Sequence, residues 1–302
     1  MRKTSLNFVY ELAKQDDRIV FIGSDLGPGL LEEMKTEMPD RFFMEGVSEQ
    51  NIIGLAAGLA MEGFIPYVNT IATFLTRRCY EQVCLDLCLH NLPVRLIASG
   101  GGMVYAPLGP THLAVEDITI MRALPNMTVI APADAEEMAR LMPQTVNVPG
   151  PIYIRLAKGG DPVVTKKDYE FELGKGVELL PVAEVTFIST GIMTNRALAA
   201  AQVLKKEGIQ CGVVHIHTIK PLDEETVINT AIKSQVIVTL EEHTLIGGFG
   251  SAIVDCLVDN NIALPKIVRM GLPDAFSMDY GSQNSLLEVM GIGLDDIISA
   301  TR

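Results

Sequence analysis

No apolar run in this 302-residue chain reaches the roughly 20 positions that a membrane-spanning helix needs. The longest candidate, residues 52–61, stops at Glu62. Residues 1–17 lack the unbroken apolar core of a secretory signal, because Glu11 and Lys14 interrupt what reads as an amphipathic helix. The expected location is therefore the cytoplasm. Positive charge is also scarce. Lys plus Arg is 24 against 37 Asp plus Glu, a net charge of −13 with His neutral. Nucleic acid needs a basic footprint, so that class of partner is excluded. Cysteine is sparse, an odd set of five in a large chain: Cys79, Cys84, Cys88, Cys211 and Cys256. A disulfide framework is not expected. Cys84 and Cys88 share a helical face, but nothing near them has zinc spacing, so all five read as apolar packing residues.

What is present is ordinary globular material. Hydrophobic residues make up 48% and charged residues 20%, and the length suggests about two domains. Apolar runs alternate with helical patterns from end to end. Expected strands run over 19–22, 42–44, 65–69, 93–98, 127–131 and 151–156. Expected helices cover 30–37, 49–61, 73–90, 113–124 and 134–147, the last capped by Asp134. Such alternation implies a parallel sheet covered on both faces. The polar stretch opening at Lys158-Gly159-Gly160-Asp161-Pro162 reads as a linker. Strands at 185–189, 210–215, 235–240 and 267–270 then alternate with helices at 195–207, 223–233 and 250–260. The expected fold class is α/β, two domains each with a mostly parallel sheet flanked by helices. Their bounds are 1–160 and 183–302, joined by a linker at 161–182.

In open sheets of this kind, ligands bind outside the carboxyl ends of the strands. The informative loops are those after Ile22, Met44, Asn69, Ala98 and Leu156. Glu49 follows a strand and sits in the first turn of a helix, where an acid by itself only complements the helix dipole. His215 and His217 share a strand face, but two histidines without a third ligand read as packed side chains. The glycines of 247–251 read as a helix-entry turn rather than a phosphate cradle.

The string from Gly46 to Ala60, GVSEQNIIGLAAGLA, closely resembles the pyrimidine-binding motif of thiamine-diphosphate enzymes, in their transketolase and deoxyxylulose-phosphate-synthase branch. Further matches follow in order: Ser24-Asp25-Leu26, Thr73-Phe74-Leu75, Gly109-Pro110-Thr111-His112, and residues 124–134, LPNMTVIAPAD. Thr239 to His243 and Gly247 to Ser251 resemble the C-terminal domain of that family. The resemblance covers essentially the whole chain. It implies thiamine diphosphate as cofactor, which supplies a carbon nucleophile and an electron sink. It also implies roles. Glu49 matches the glutamate that hydrogen-bonds the aminopyrimidine ring nitrogen, and Phe74 the aromatic that stacks on that ring. Asp25 matches an acid near the thiazolium. His112 matches a histidine that contacts donor hydroxyls and the intermediate. Glu49 and His112 are thus the expected catalytic residues.

The Gly-Asp-Gly motif, with which this family holds magnesium and the diphosphate, is missing; Gly160-Asp161-Pro162 is not it. The resemblance therefore implies a separate N-terminal subunit that binds the diphosphate and Mg2+. The expected assembly is α2β2 around a homodimer core, with the chain inactive alone and an interface well over about 2,000 Å². Arg2 and Lys158 match cations that hold a substrate's terminal phosphate. Gly100 and Gly29 stand where other members carry His or Arg, and Ser. Leu108 stands where many have an Asp that reads an acceptor hydroxyl. A sugar phosphate is expected, with an unusual sugar bearing a sulfonate or no anion as the alternative. Competing readings are a 2-oxo-acid dehydrogenase β-subunit, a deoxyxylulose-phosphate-synthase-like subunit and a cofactor-free subunit that kept the fold. Gly109-Pro110-Thr111-His112 and Pro125-Asn126-Met127 favour transketolase, and Glu49, Phe74 and His112 argue against loss of the cofactor.

Overall fold

Short apolar strands separated by helices dictate layers, and the computed structural model has them. It describes residues 1–24, 29, 31–157, 159–165 and 169–301. The first half runs α1 (Arg2–Ala13), β1 (Ile19–Gly23), α2 (Glu32–Glu37), β2 (Phe42–Met44), α3 (Glu49–Met61), β3 (Ile65–Ile71), α4 (Ala72–Thr76) and α5 (Tyr80–Gln82). It continues with β4 (Arg95–Ser99), α6 (Asp117–Arg122), β5 (Thr128–Ile130), α7 (Ala135–Thr145) and β6 (Ile152–Leu156). The second half comprises β7 (Val177–Leu180), β8 (Val185–Ser189), α8 (Met193–Lys206), β9 (Cys211–His215), β10 (Thr218–Lys220) and α9 (Glu224–Lys233). It ends with β11 (Val236–Thr244), α10 (Phe249–Asp259), β12 (Lys266–Leu272), α11 (Gln283–Val289) and α12 (Leu294–Ser299).

Two sheets result, in the orders β10-β5-β6-β4-β3-β1-β2 and β12-β11-β8-β9-β7. All pairings are parallel except β10 with β5 and β7 with β9. Strands β1, β4 and β6 are buried at every position, as expected of strands covered by helices on both faces. The α/β expectation with mostly parallel sheets holds. Strand β10 belongs by sequence to the second half yet closes the free edge of β5 in the first sheet. Pairing an edge in this way removes unpaired backbone groups from water. One apolar cluster runs through both halves, from Ile22, Ile53 and Leu96 to Ile188, Phe249 and Leu257.

Four local expectations change. The helix expected over 73–90 is broken into α4, α5 and a wider π-type stretch, Val83–Leu89. The cause is lateral hydrogen bonding: Cys79 Sγ donates to the Phe74 carbonyl at 3.1 Å and Gln50 Nε2 to the Arg78 carbonyl at 3.1 Å, drawing both off the helical ladder. The helix expected over 113–124 starts only at Asp117, because Ala114 first pairs with Gly101 and Gly102. The segment read as a linker, 161–182, makes contacts with the first domain at its described residues. The amides of Val164 and Thr165 donate to Asp134 Oδ2 at 2.7 and 2.8 Å, and the segment ends in β7. Helices α11 and α12 and strand β10 lie where no element was expected. Asp134 does cap α7, accepting from the Glu137 amide at 2.9 Å.

Candidate active site

Helix α3 begins just beyond the carboxyl end of β2 and brings Glu49 inward as its first residue. Glu49 is 2% exposed. An ionised carboxylate so buried needs a partner, and Arg78 supplies one: its Nη1 donates to Glu49 Oε2 at 2.5 Å. The Arg78 guanidinium carbon also lies 4.1 Å from the centre of the Phe74 ring, over its face. Phe74 in turn meets the His112 ring edge-on, with centroids 5.3 Å apart and planes at 64°. Thr111 Oγ1 and His112 Nδ1 are hydrogen-bonded at 2.9 Å, which orients the imidazole. The fold thus brings Glu49, Phe74 and His112 into one group, through an arginine that the motif reading did not single out. The signal was available: Phe74 and Arg78 are four residues apart, the spacing that aligns side chains along a helical stretch.

The surrounding carboxyl edge is polar and dry. Asn69 Nδ2 donates to the Ile97 carbonyl and to Ser99 Oγ, while its Oδ1 and the Thr73 hydroxyl are buried without a partner among the described residues. Cys79, also beside Glu49, is pushed up to about 12 by burial and stays a thiol.

His112 rides on a loop after β4 that the second domain fastens in place. The Met103 amide donates to Glu242 Oε1 at 2.8 Å. Arg155 donates to the carbonyls of Ala114 and Glu242 at 3.0 and 2.8 Å and pairs with Asp117 at 2.7 Å. The expected C-terminal string therefore has a structural task here. Glu241 caps the first turn of α10, accepting from the Phe249 and Gly250 amides at 2.6 and 2.8 Å. Burial pushes it up to about 7 despite those bonds. His243 is pushed down to about 4 by burial, so it is neutral. Its Nε2 accepts from the Thr119 amide at 3.3 Å and its Nδ1–H donates to the Thr244 carbonyl at 2.7 Å.

His215 and His217 are both packed at the seam between the halves. His215 bridges Thr194 Oγ1 at 2.7 Å and Glu137 Oε2 at 2.9 Å. His217 stacks on Phe171 with centroids 4.3 Å apart, and burial pushes it down to about 4. No group of three or more metal-ligating side chains occurs among the described residues. All five cysteines are unpaired, and all but Cys84 are buried.

The outer corner of the site differs from the sequence expectation. A Cβ at Gly100, whose φ is +81°, would fall 2.0 Å from the Tyr105 ring. Position 100 is therefore closed to any side chain, and Tyr105 fills the space. Burial raises the Tyr105 pKa, and the charge of Arg2 nearby opposes that rise. Gly29, by contrast, has open space around it. Asp25 and Lys158 lie outside the described residues.

Two mostly parallel α/β domains, with a buried glutamate, an aromatic and a histidine gathered beyond strand ends of the first sheet, have the layout of an open-sheet enzyme. Comparison with known families narrows this. The model for the transketolase pyrimidine-binding domain matches residues 1–160, and that for the transketolase C-terminal domain matches residues 174–297. The chain belongs to the transketolase family. It is 38% identical over 301 residues to the 6-deoxy-6-sulfo-D-fructose transketolase subunit SqwH of Clostridium sp. strain MSTE9, covering 99% of this chain and 92% of that one. It is 39% identical over 291 residues to a putative transketolase family protein, y4mN, of Sinorhizobium fredii strain NGR234, covering 95% and 84%. A solved structure described as a split gene transketolase, inactive beta4 tetramer, superposes with a TM-score of 0.91 at 36% identity, covering 99% of this chain and 96% of that one.

Proposed function

We propose that this chain is the C-terminal subunit of a split transketolase. It transfers a two-carbon ketol unit from a ketose to an aldehyde, together with a separate subunit that binds the diphosphate and Mg2+. The observation that carries this reading is the single cluster of Glu49, Phe74 and His112 at the carboxyl edge of the first sheet. The division of labour between subunits is supported by relatives named as a transketolase subunit and a split gene transketolase, each of which this chain covers almost end to end. An α2β2 assembly suits it, with the site shared between chains. Five unpaired cysteines suit the reducing cytoplasm.

The residues fit the pyrimidine half of thiamine diphosphate. The Arg78 guanidinium reaches a buried carboxylate and an aromatic ring at once, so the two contacts that an aminopyrimidine needs lie within one planar group's span. When bound, the cofactor supplies the carbon nucleophile and the electron sink. The buried Glu49 carboxyl would hold the ring nitrogen by a hydrogen bond and share its proton. Phe74 fixes the plane of the ring. His112, held by Thr111, donates to or accepts from the donor's hydroxyls. Asp25 serves near the thiazolium. Arg2 and Lys158 take the terminal anion of the sugar, and the relative named for a sulfonated ketose supports testing a sulfonate beside a phosphate.

The test is ketol transfer with thiamine diphosphate and magnesium, by the chain alone and by the native complex isolated through a tag on this chain. Activity in the complex alone, lost in Glu49→Ala while the complex still forms, is the expected result. Decarboxylation of a 2-oxo acid without ketol transfer overturns it, and so does full activity of the chain alone.

A further inference from the structure

Arg78 holds two contacts at once, and both are contacts of the proposed cofactor seat. Its Nη1 donates to the Glu49 carboxylate at 2.5 Å, and its guanidinium carbon lies 4.1 Å from the centre of the Phe74 ring. A guanidinium and an aminopyrimidine are both planar, with hydrogen-bonding edges and stackable faces. They ask for the same carboxylate and the same ring, and the two cannot be satisfied together. We propose that Arg78 is a positioning residue of this enzyme: it engages the carboxylate and the ring that form the pyrimidine seat, and it must release Glu49 and Phe74 before the cofactor's ring is held. This rests on the function proposed above.

The neighbouring arginines show why Arg78 is the one that moves. Arg77 is tied to Glu116 at 2.5 Å and to the Leu113 carbonyl. Arg155 is enclosed, with its side chain 7% exposed and three acceptors around it. The Arg78 side chain is 42% exposed, and Glu49 is its one ion-pair partner among the described residues. Its backbone stays anchored, because Gln50 Nε2 holds the Arg78 carbonyl at 3.1 Å. The swing is therefore confined to the side chain, about a fixed pivot.

The exchange has a chemical consequence at Glu49. Sharing a proton with a ring nitrogen needs the carboxylate that Arg78 engages at 2.5 Å. While Arg78 stays, Glu49 is paired but unable to do its proposed work. When Arg78 leaves, the ring nitrogen becomes the partner that a buried carboxylate needs. Binding of the cofactor and readiness of Glu49 are thereby one event.

The experiment is calorimetric titration of thiamine diphosphate, in saturating magnesium, into the cofactor-stripped native complex. Arg78→Ala should tighten Kd by roughly tenfold, since a half-exposed ion pair and a cation–π contact no longer compete. Arg78→Lys, which keeps the charge and loses the flat face, should fall between the two. A second readout needs no turnover. Melting of the cofactor-free chain should show coupling between Arg78→Ala and Glu49→Gln, and saturating cofactor in the complex should abolish it. Equal or weaker cofactor binding by Arg78→Ala, with the wild type binding normally, overturns the role of Arg78 and leaves the function standing. Additive melting shifts in the cofactor-free chain overturn it as well. A wild-type complex that takes up no thiamine diphosphate removes the function and this proposal together.

Discussion

Asp117→Asn should be the most informative probe of how the two domains hold the His112 loop. Arg155 is enclosed and donates to Asp117 Oδ2 at 2.7 Å, and Tyr153 donates its hydroxyl to the same oxygen at 2.7 Å. Two further bonds run from Arg155 to the carbonyls of Ala114 and Glu242. Asparagine keeps the shape of the carboxylate and removes its charge, leaving a guanidinium buried against neutral acceptors. Breaking a buried pair by removing one partner costs roughly 3–5 kcal/mol. The retained carbonyl bonds place the expected loss near the lower end, about 3 kcal/mol. Asp255→Asn is the control. Asp255 pairs with Arg122 at 3.1 Å but is 60% exposed, so its loss should stay under about 1 kcal/mol. Urea unfolding of the chain at neutral pH measures both, through the shift in midpoint at unchanged slope. A loss for Asp117→Asn no larger than that for Asp255→Asn would refute the idea that this buried pair secures Arg155, whose bond to the Glu242 carbonyl reaches the second domain.

Three further outcomes are expected. Gly100→Ala should cost several kcal/mol in the same unfolding assay, because φ is +81° and the new Cβ meets the Tyr105 ring at 2.0 Å; a neutral effect would mean that the loop adapts freely. Acidification should destabilise the chain. His217 and His243, each lowered from 6.5 to about 4, contribute stability that is lost as pH falls from 6.5 toward 4. Glu241, raised from 4.5 to about 7, works the other way, since its stability is present below 4.5 and lost as pH rises through 7. The two histidines favour a loss of stability between pH 6.5 and 4.5 that outweighs the opposing effect of Glu241, and a flat stability profile over that window would contradict the burial of these groups. Lys158→Ala should raise KM for ketoses with a terminal anion far more than it lowers kcat; equal effects on anionic and uncharged substrates would remove Lys158 from the anion site.

The sequence alone determined the layered α/β plan. Strand and helix periods are local, and an apolar run such as that at β1 has only one comfortable place, inside a parallel sheet. It also determined the start of α3 at Glu49 and the cap at Asp134, since a helix N-terminus is specified within one turn. Tertiary structure decided what those residues face. Glu49 and Arg78 are 29 residues apart, and Met103 and Glu242 are 139 apart, distances over which no periodicity carries information. The break in the helix expected over 73–90 came from side chains bonding carbonyls laterally. The closure of position 100 by Tyr105, the neutral histidines at the seam and the crossing of β10 into the first sheet have the same origin. In each case, burial and hydrogen-bond satisfaction between distant segments outweighed local preference.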